Sequence, residues 1–331
     1  MSAAIPALEL PAVDVDALVK TYGKSVRALR GVSFRVDRGT VFALLGPNGA
    51  GKTTTIKILA TLSRPDAGRA TVAGIDVLDD PKRVRRVIGC VGQKDAVDLE
   101  ATGRENLVLQ GQLYGMAGAD LRHRVDELLD RFRLTEAGAR IARTYSGGMR
   151  RKLSVAMGLV HRPRVLFLDE PTTGLDPEAR TGMWAEIQRL SADDGMSVLL
   201  TTHYLDEADH LADRVVIIDE GVVVTQGTPD QLKSELRGDA IQVELVSGAS
   251  SEQALRALGA LNGRLRDMTC IGRAIHARVD DGAGAVPGVL AALERGGVAV
   301  AAVTVSRPSL DDVYLSHTGR AFHAVNEGDS R

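Results

Sequence analysis

The stretch "GPNGAGKT", Gly46 to Thr53, constrains this chain more than any other part of it. It fills every fixed position of the phosphate-loop pattern G-x-x-x-x-G-K-[S/T], directly after the apolar run "VFALL" and directly before the helically spaced "KTTTIKILATL". Glycines let such a loop wrap phosphates with its backbone N–H groups, and the helix start adds partial positive charge. Lys52 then reaches the β- and γ-phosphates, and the Thr53 hydroxyl is a magnesium ligand.

The acidic end of such a metal site comes from "RVLFLDEP". Its apolar residues read as a buried strand with Asp169 at the carboxyl end, where open α/β sheets gather their ligands. Asp169 is expected to hold magnesium largely through water, and Glu170 to orient or deprotonate the attacking water.

Around these motifs the hydrophobic pattern alternates between two periods. Val13 to Leu45 alternates as strands do, and "RVIGCVGQ" contains a short buried strand. Residues from about Thr102 to Val160 carry apolar side chains three and four apart, as helices do. The compact runs "RVLFLDE", "SVLLTTH" and "RVVIIDE" are separated by the helix-like "PEARTGMWAEIQRL" and "YLDEADHLA". Apolar strands alternating with helices predict an α/β fold, a parallel sheet covered on both faces.

A second glycine-rich turn, in "RTYSGGMRRKLSV", opens a further helix nearly a hundred residues after the phosphate loop. Taken in order and spacing, "GPNGAGKTT", "YSGGM", "LFLDEP" and "TTH" resemble the nucleotide-binding domain of the ATP-binding-cassette (ABC) family, over roughly Val13 to Leu236. The resemblance implies ATP and Mg2+ as ligands, with Gly46, Pro47, Asn48, Gly49, Ala50, Gly51, Lys52, Thr53 and Thr54 in the ATP-binding loop. It also explains the second cradle. In this family two such domains dimerise head to tail, so Ser146, Gly147 and Gly148 would close over the partner's ATP, with Asp176 of "TTGLDP" contacting the opposite subunit. The partner would be a second copy or a homologous ATP-binding subunit.

Other positions follow singly from the resemblance. Tyr22 matches the adenine-stacking aromatic, Gln93 a glutamine that touches the metal and water, and His203 a histidine that senses the γ-phosphate. The chain departs from the commonest signature at Met149, where glutamine is usual, and at Tyr145, where leucine is. The catalytic set is then Lys52, Glu170 and His203, with Thr53, Gln93 and Asp169 at the metal.

"GQKDAVDLEATGRENL", "LLTTHYLDEADHLADR" and "RPSLDDVYLSHTGR" narrow the resemblance to the ATP-binding subunits of daunorubicin-resistance-type exporters. That branch implies a peripheral protein on the cytoplasmic side of the cell membrane, docked on a separate integral membrane permease through the helical region of about residues 103–160. A solute-sensing importer subunit and a soluble non-transport ABC ATPase are the alternatives.

Bulk properties agree with these readings. The longest apolar runs fall far short of the roughly 20 residues that cross a bilayer. With 41 basic and 43 acidic side chains and no long block of either sign, no nucleic-acid partner is expected. The two cysteines, Cys90 and Cys270, lack metal-ligand spacing and read as buried thiols.

The character changes near "LRGDA", which places a domain boundary at residue 236. The segment 237–331 reads as a small α+β module, βαββαβ and ferredoxin-like once "LRDMTCI" counts as a strand. Its role stays open between regulation and a stabilising or dimerising appendage. The polar tail "HAVNEGDSR" is expected to fray.

Overall fold

The computed structural model describes residues 10–23, 25–236, 238–261, 265–320 and 322. The tail from His323 lies outside the described residues. Two compact units divide the chain, Met1–Val223 and Val224–Arg331.

The first unit is built on five parallel strands in the order Arg214–Asp219, Val41–Leu45, Ser197–Thr202, Val165–Asp169 and Ile88–Val91. Three of them, Val41–Leu45, Val165–Asp169 and Ser197–Thr202, are buried at every residue. This is why they lack the polar alternation of half-exposed strands. An antiparallel sheet accompanies them, ordered Val26–Val36, Val13–Tyr22, Ala67–Val72, Ile75–Asp76. One apolar core joins the two sheets, with Leu18, Leu29 and Phe34 from the antiparallel sheet against Phe42, Phe167 and Leu199, and with Ile56 and Leu59 of the helix Lys52–Leu59. The Phe34 and Phe42 rings stack across it at 5.3 Å.

The helical segment comprises Gly103–Leu113, Gly118–Arg131, a short 3-10 turn Ala142–Thr144 and Gly147–Leu159. Thr102 and Glu105 form a reciprocal capping box that starts the first of these. Tyr145, the departure from the usual leucine, is buried and its hydroxyl donates to Ala137 O at 2.6 Å. The phenol thus anchors the turn that precedes Ser146.

The second unit contains the expected βαββαβ order. Strands Asp239–Leu245, Arg266–Ile271, Ala274–Val279 and Val300–Ser306 alternate with helices Ser251–Gly259 and Gly282–Arg295. All pairs are antiparallel, in the spatial order second, third, first, fourth, which is the ferredoxin-like arrangement. Ile241, Val243, Ile275, Leu258, Val289 and Leu293 form its core.

Two expectations change. The chain divides within the strand Val222–Gly227, before residue 236, because the helix Pro229–Glu235 packs on the last helix, Leu310–Thr318, and so belongs to the second unit. The cysteines are not both buried: Cys90 is exposed and Cys270 partly so. Cys90 sits on the strand Ile88–Val91 but lines a groove with Tyr114 and His161, where surrounding protein and the Asp169 carboxylate push its pKa up to about 11.

Candidate nucleotide site

The loop Gly46–Gly51 leaves the buried strand Val41–Leu45 and enters the helix Lys52–Leu59. Two of its glycines are dictated by close backbone approach. A Cβ on Gly46 would lie 2.2 Å from Ile218 O, and one on Gly51, whose φ is +107°, would lie 2.5 Å from Ala28 O. The loop borders a cleft of about 340 Å³ lined by Asn48, Gly49, Ala50, Gly51, Lys52, Thr53 and Thr54, and closed by Ala28, Gln93 and Glu170.

Lys52 is buried, and its ammonium donates to Gly46 O at 2.6 Å and Pro47 O at 2.9 Å. Burial lowers its pKa, while the charges of Glu170 and Asp169 work against that fall. The Thr53 hydroxyl donates to Asp169 Oδ1 at 3.2 Å, and the Thr201 hydroxyl donates to the same oxygen at 2.6 Å. The sequence pattern therefore brings Thr53 and Asp169 together across 116 positions.

Glu170 is the most heavily held group. Its Oε2 accepts from Gln93 Nε2 at 3.1 Å and from the Thr173 hydroxyl at 3.2 Å. Its Oε1 lies 3.1 Å from His203 Nδ1 and 3.8 Å from Lys52 Nζ. Burial alone would raise the carboxyl, but His203, Lys52 and Thr173 outweigh it and hold it below the usual carboxylate range. The Glu170 backbone is left-handed, with φ +48°, a conformation that costs a residue with a Cβ about 1–3 kcal/mol. Its N–H is fixed by Thr201 O at 3.1 Å and Thr201 Oγ1 at 3.0 Å. The strand end thus over-determines where this carboxylate points.

Lys52, Thr53, Gln93, Asp169, Glu170 and His203 converge on one place. Other expected residues stand elsewhere. Tyr22 ends the strand Val13–Tyr22, 41% exposed with Lys20 Nζ 5.5 Å from its ring centroid, and is outside the lining of the cleft. Ser146 caps the helix Gly147–Leu159 by accepting from Met149 N at 3.2 Å, and neither it nor Gly147 or Gly148 lines the cleft. Asp176 is exposed and caps the helix Pro177–Ala192 through Ala179 N at 2.8 Å.

Several contributors escaped sequence reasoning. Arg151, 4% exposed, donates to Gly92 O at 2.7 Å, Pro171 O at 2.8 Å, Asp169 O at 3.0 Å and Glu170 O at 3.2 Å. It ties the helix that begins at Gly147 to the backbone of Asp169 and Glu170. An arginine beside another arginine and a lysine reads as surface charge, so only its helical phase carried a signal. Glu207 and Thr201 are similarly buried among polar partners.

The ABC transporter family model matches residues 29–173, and the model of the ATP-binding protein DrrA1-3-like C-terminal domain matches residues 227–318. The daunorubicin resistance ATP-binding protein DrrA3 of Streptomyces coeruleorubidus is 47% identical over 93% of this chain and 96% of its own length. The chain belongs to the ABC transporter family, as one of its ATP-hydrolysing subunits. This family member is also 44% identical to the doxorubicin resistance ATP-binding protein DrrA of Mycobacterium tuberculosis, over 93% of each chain. Among solved structures, the dimeric post-hydrolysis state of the ATP-binding cassette MJ0796 bound to ADP and Pi is similar at a TM-score of 0.60 and 26% identity, over 65% of this chain and 98% of that one.

Proposed function

We propose that this ABC subunit works as a head-to-tail dimer on the cytoplasmic side of a membrane and drives export of a hydrophobic drug or lipid-like compound through a separate permease. One observation carries the dimer. The chain holds two glycine-rich anion cradles, yet the cleft beside Lys52 is lined by only one of them. The signature helix start at Ser146–Gly148 then serves a nucleotide held by a partner. The export assignment follows the drug-resistance relatives, whose likeness extends over the second unit as well as the first. Among the described residues no helix is long and apolar enough to cross a membrane, so the reading requires a separate membrane-spanning partner.

The residues fit a magnesium nucleotide. Thr53 and Asp169 offer hard oxygen donors within 3.2 Å of each other, with Gln93 nearby on Glu170. Among the described residues no three His, Cys, Asp or Glu gather as a cage. That suits a cation that keeps several waters and shares phosphate oxygens. Bound there, the cation would neutralise charge on the phosphates. Lys52 holds the β- and γ-phosphate oxygens from the loop side, and ionised Glu170 orients and takes a proton from water attacking the γ-phosphorus. His203, on the Oε1 side of Glu170, keeps that carboxylate aimed and contacts the γ-phosphate. Tyr22 stacks on adenine from the strand end, and Asp176 meets the opposite subunit.

Copurification with the membrane partner, followed by ATP-dependent efflux of candidate hydrophobic compounds from vesicles, tests this. Directional uptake into the cytoplasmic compartment, or ATP turnover indifferent to the permease, would reject the export assignment.

A further inference from the structure

The sheet of the second unit ends on two unlike edges. One edge strand, Arg266–Ile271, carries Arg266 and Asp267, shifts register between Arg266 and Thr269, and has a left-handed Asp267 with φ +51°. Charge and irregular backbone are what keep further strands from adding to a sheet. The opposite edge strand, Val300–Ser306, reads "VAAVTVS" without a charge, and pairs with Asp239–Leu245 in unbroken register from Ala302 to Ser306. Val246 N–H donates to Ala299 O at 3.1 Å, whereas Leu245 N–H turns the other way to Arg273 O at 2.9 Å. Alternation along the ladder therefore points the backbone N–H and C=O groups of Val303 and Val305 to the open side. Among the described residues no strand pairs with that side.

The side chains beside this edge are apolar and incompletely covered. Val300, Val303 and Val305 pack on the core of the unit but are only partly buried. The helix Gly282–Arg295 lies directly over the strand, since a Cβ on Gly282 would stand 2.2 Å from Val305 Cγ1. Just past its end, a Cβ on Gly296 would stand 2.8 Å from Ala257 Cβ of the neighbouring helix Ser251–Gly259. Helical phase then sets Val286 and Leu290 on the other flank, beside the open edge, with Leu290 41% exposed.

We propose that this edge pairs antiparallel with the same edge of a second copy of the chain, joining the two sheets into one. The edge is its own complement. Centred on Val303, the pairing sets Thr304 opposite the partner's Ala302 and brings no like charges together along the strands. It carries Arg307, exposed just past the strand, to the start of the partner's strand, where the helix bearing the exposed Glu294 closes. A cation is favoured at that helix end. The flanks with Val286 and Leu290 then shield each other from water. The pairing needs no nucleotide, so it is separate from the ATP-dependent head-to-tail contact.

Sedimentation equilibrium of the full chain, freed of nucleotide, tests this. The chain is expected to dimerise reversibly at about micromolar concentration. Ala302→Lys with Thr304→Lys, both at exposed positions of the edge strand, should weaken the dimer by about tenfold or more with the circular dichroism unchanged. Gln242→Lys, exposed on the same face but one strand inward, should leave it intact. If the lysine variant does not fold, a mixture of Ala302→Cys chains with Thr304→Cys chains decides the matter. It should form a disulfide between positions 302 and 304 of different chains, found by peptide mass spectrometry, because facing residues of such a pair stand about 4.5 Å apart. A nucleotide-free chain that stays monomeric at about 100 μM, or a dimer that the folded lysine variant forms equally well, overturns the proposal. Dimers that appear only with ATP, and without that disulfide, overturn the edge pairing while leaving the head-to-tail reading in place.

Discussion

The Thr172 hydroxyl donates to Glu207 Oε1 at 2.8 Å, both residues being fully or almost fully buried. Trp184 Nε1 reaches the same oxygen at 3.1 Å. Glu207 therefore joins the segment that follows Glu170, the helix that follows Asp176 and its own helix, Leu205–Leu211, just after His203.

Glu207→Ala is predicted to lower kcat by about tenfold or more with a smaller change in KM, because it loosens the segments that place Glu170 and His203 without touching the phosphate loop. Burial raises the Glu207 pKa against the opposing hydrogen bonds of Thr202, Thr172 and Trp184. A carboxyl whose folded pKa lies above its unfolded value contributes stability that is full below the unfolded pKa, near 4.5, and is lost as pH rises through the folded one. Glu207→Gln should remove that pH dependence and keep most of the activity. Urea midpoints measured from pH 4 to 8 check the first statement, and steady-state kinetics of the two variants the second. A glutamine variant as impaired as the alanine one would contradict this positioning role.

Glu170→Gln is predicted to bind ATP normally and to lose turnover by about a hundredfold or more, since Lys52, Thr53 and Asp169 remain while the water loses its base. The variant should accumulate as an ATP-bound dimer. Because its neighbours hold the Glu170 carboxyl below its usual value, the group stays ionised on descent through pH 5, so loss of turnover above that pH belongs to other groups. Phosphate release at near wild-type rates by the purified variant would remove Glu170 from its role.

Much of this site was legible because its parts are local. The phosphate loop, the strand ending in Asp169 and Glu170 and the run before His203 are each contiguous, with strand or helix periodicity beside them. Buried polar pairing was not legible. Helical phase alone sets Arg151 apart from Arg150 in "GMRRKLS", without showing the four backbone carbonyl groups that it meets, and nothing in "YLDEAD" separates buried Glu207 from Asp206. The division of the chain was displaced for a similar reason. The helix Pro229–Glu235 follows the first unit in sequence, but its packing partner arrives only at Leu310.

Arg151→Ala is predicted to destabilise the protein by about 3 kcal/mol or more, since Gly92, Asp169, Glu170 and Pro171 lose a charged donor to their backbone oxygens. Arg151→Lys should recover only part of this, because an ammonium cannot present the planar fork. Chemical denaturation ranks the three proteins, and a lysine variant indistinguishable from wild type would refute the fork.

Gly147 and Gly148 separate a contact between chains from packing within one. A Cβ on Gly148 would sit 2.9 Å from Ala179 Cβ, whereas one on Gly147 would meet nothing within 4 Å. Gly147→Ala should therefore leave the folded chain as stable as wild type and still lower turnover, through crowding of the nucleotide held by a partner. Cysteines in the phosphate loop of one chain and the signature of another should crosslink more with ATP when hydrolysis is blocked. No ATP-dependent rise in that crosslink means the head-to-tail model is wrong.

The apolar side of "SLDDVYL" has a settled place in the fold. Leu310, Val313 and Tyr314 are buried in the second unit, Tyr314 edge-on to Phe322 at 4.9 Å, so they are not exposed for docking on a neighbour. Leu310→Ala is predicted to cost the second unit about 2–5 kcal/mol and to expose the helix Pro229–Glu235 to protease. Truncation at Arg237 should do the same, because the helix Pro229–Glu235 loses the last helix, on which it packs. Every residue assigned to ATP lies in the first unit, so ATP hydrolysis by the folded part is expected to persist. Limited proteolysis beside ATPase measurement checks both statements. If the truncated chain hydrolyses ATP and still copurifies with the permease at full yield, the second unit has no part in assembly; if hydrolysis disappears with the fold, the two units unfold as one.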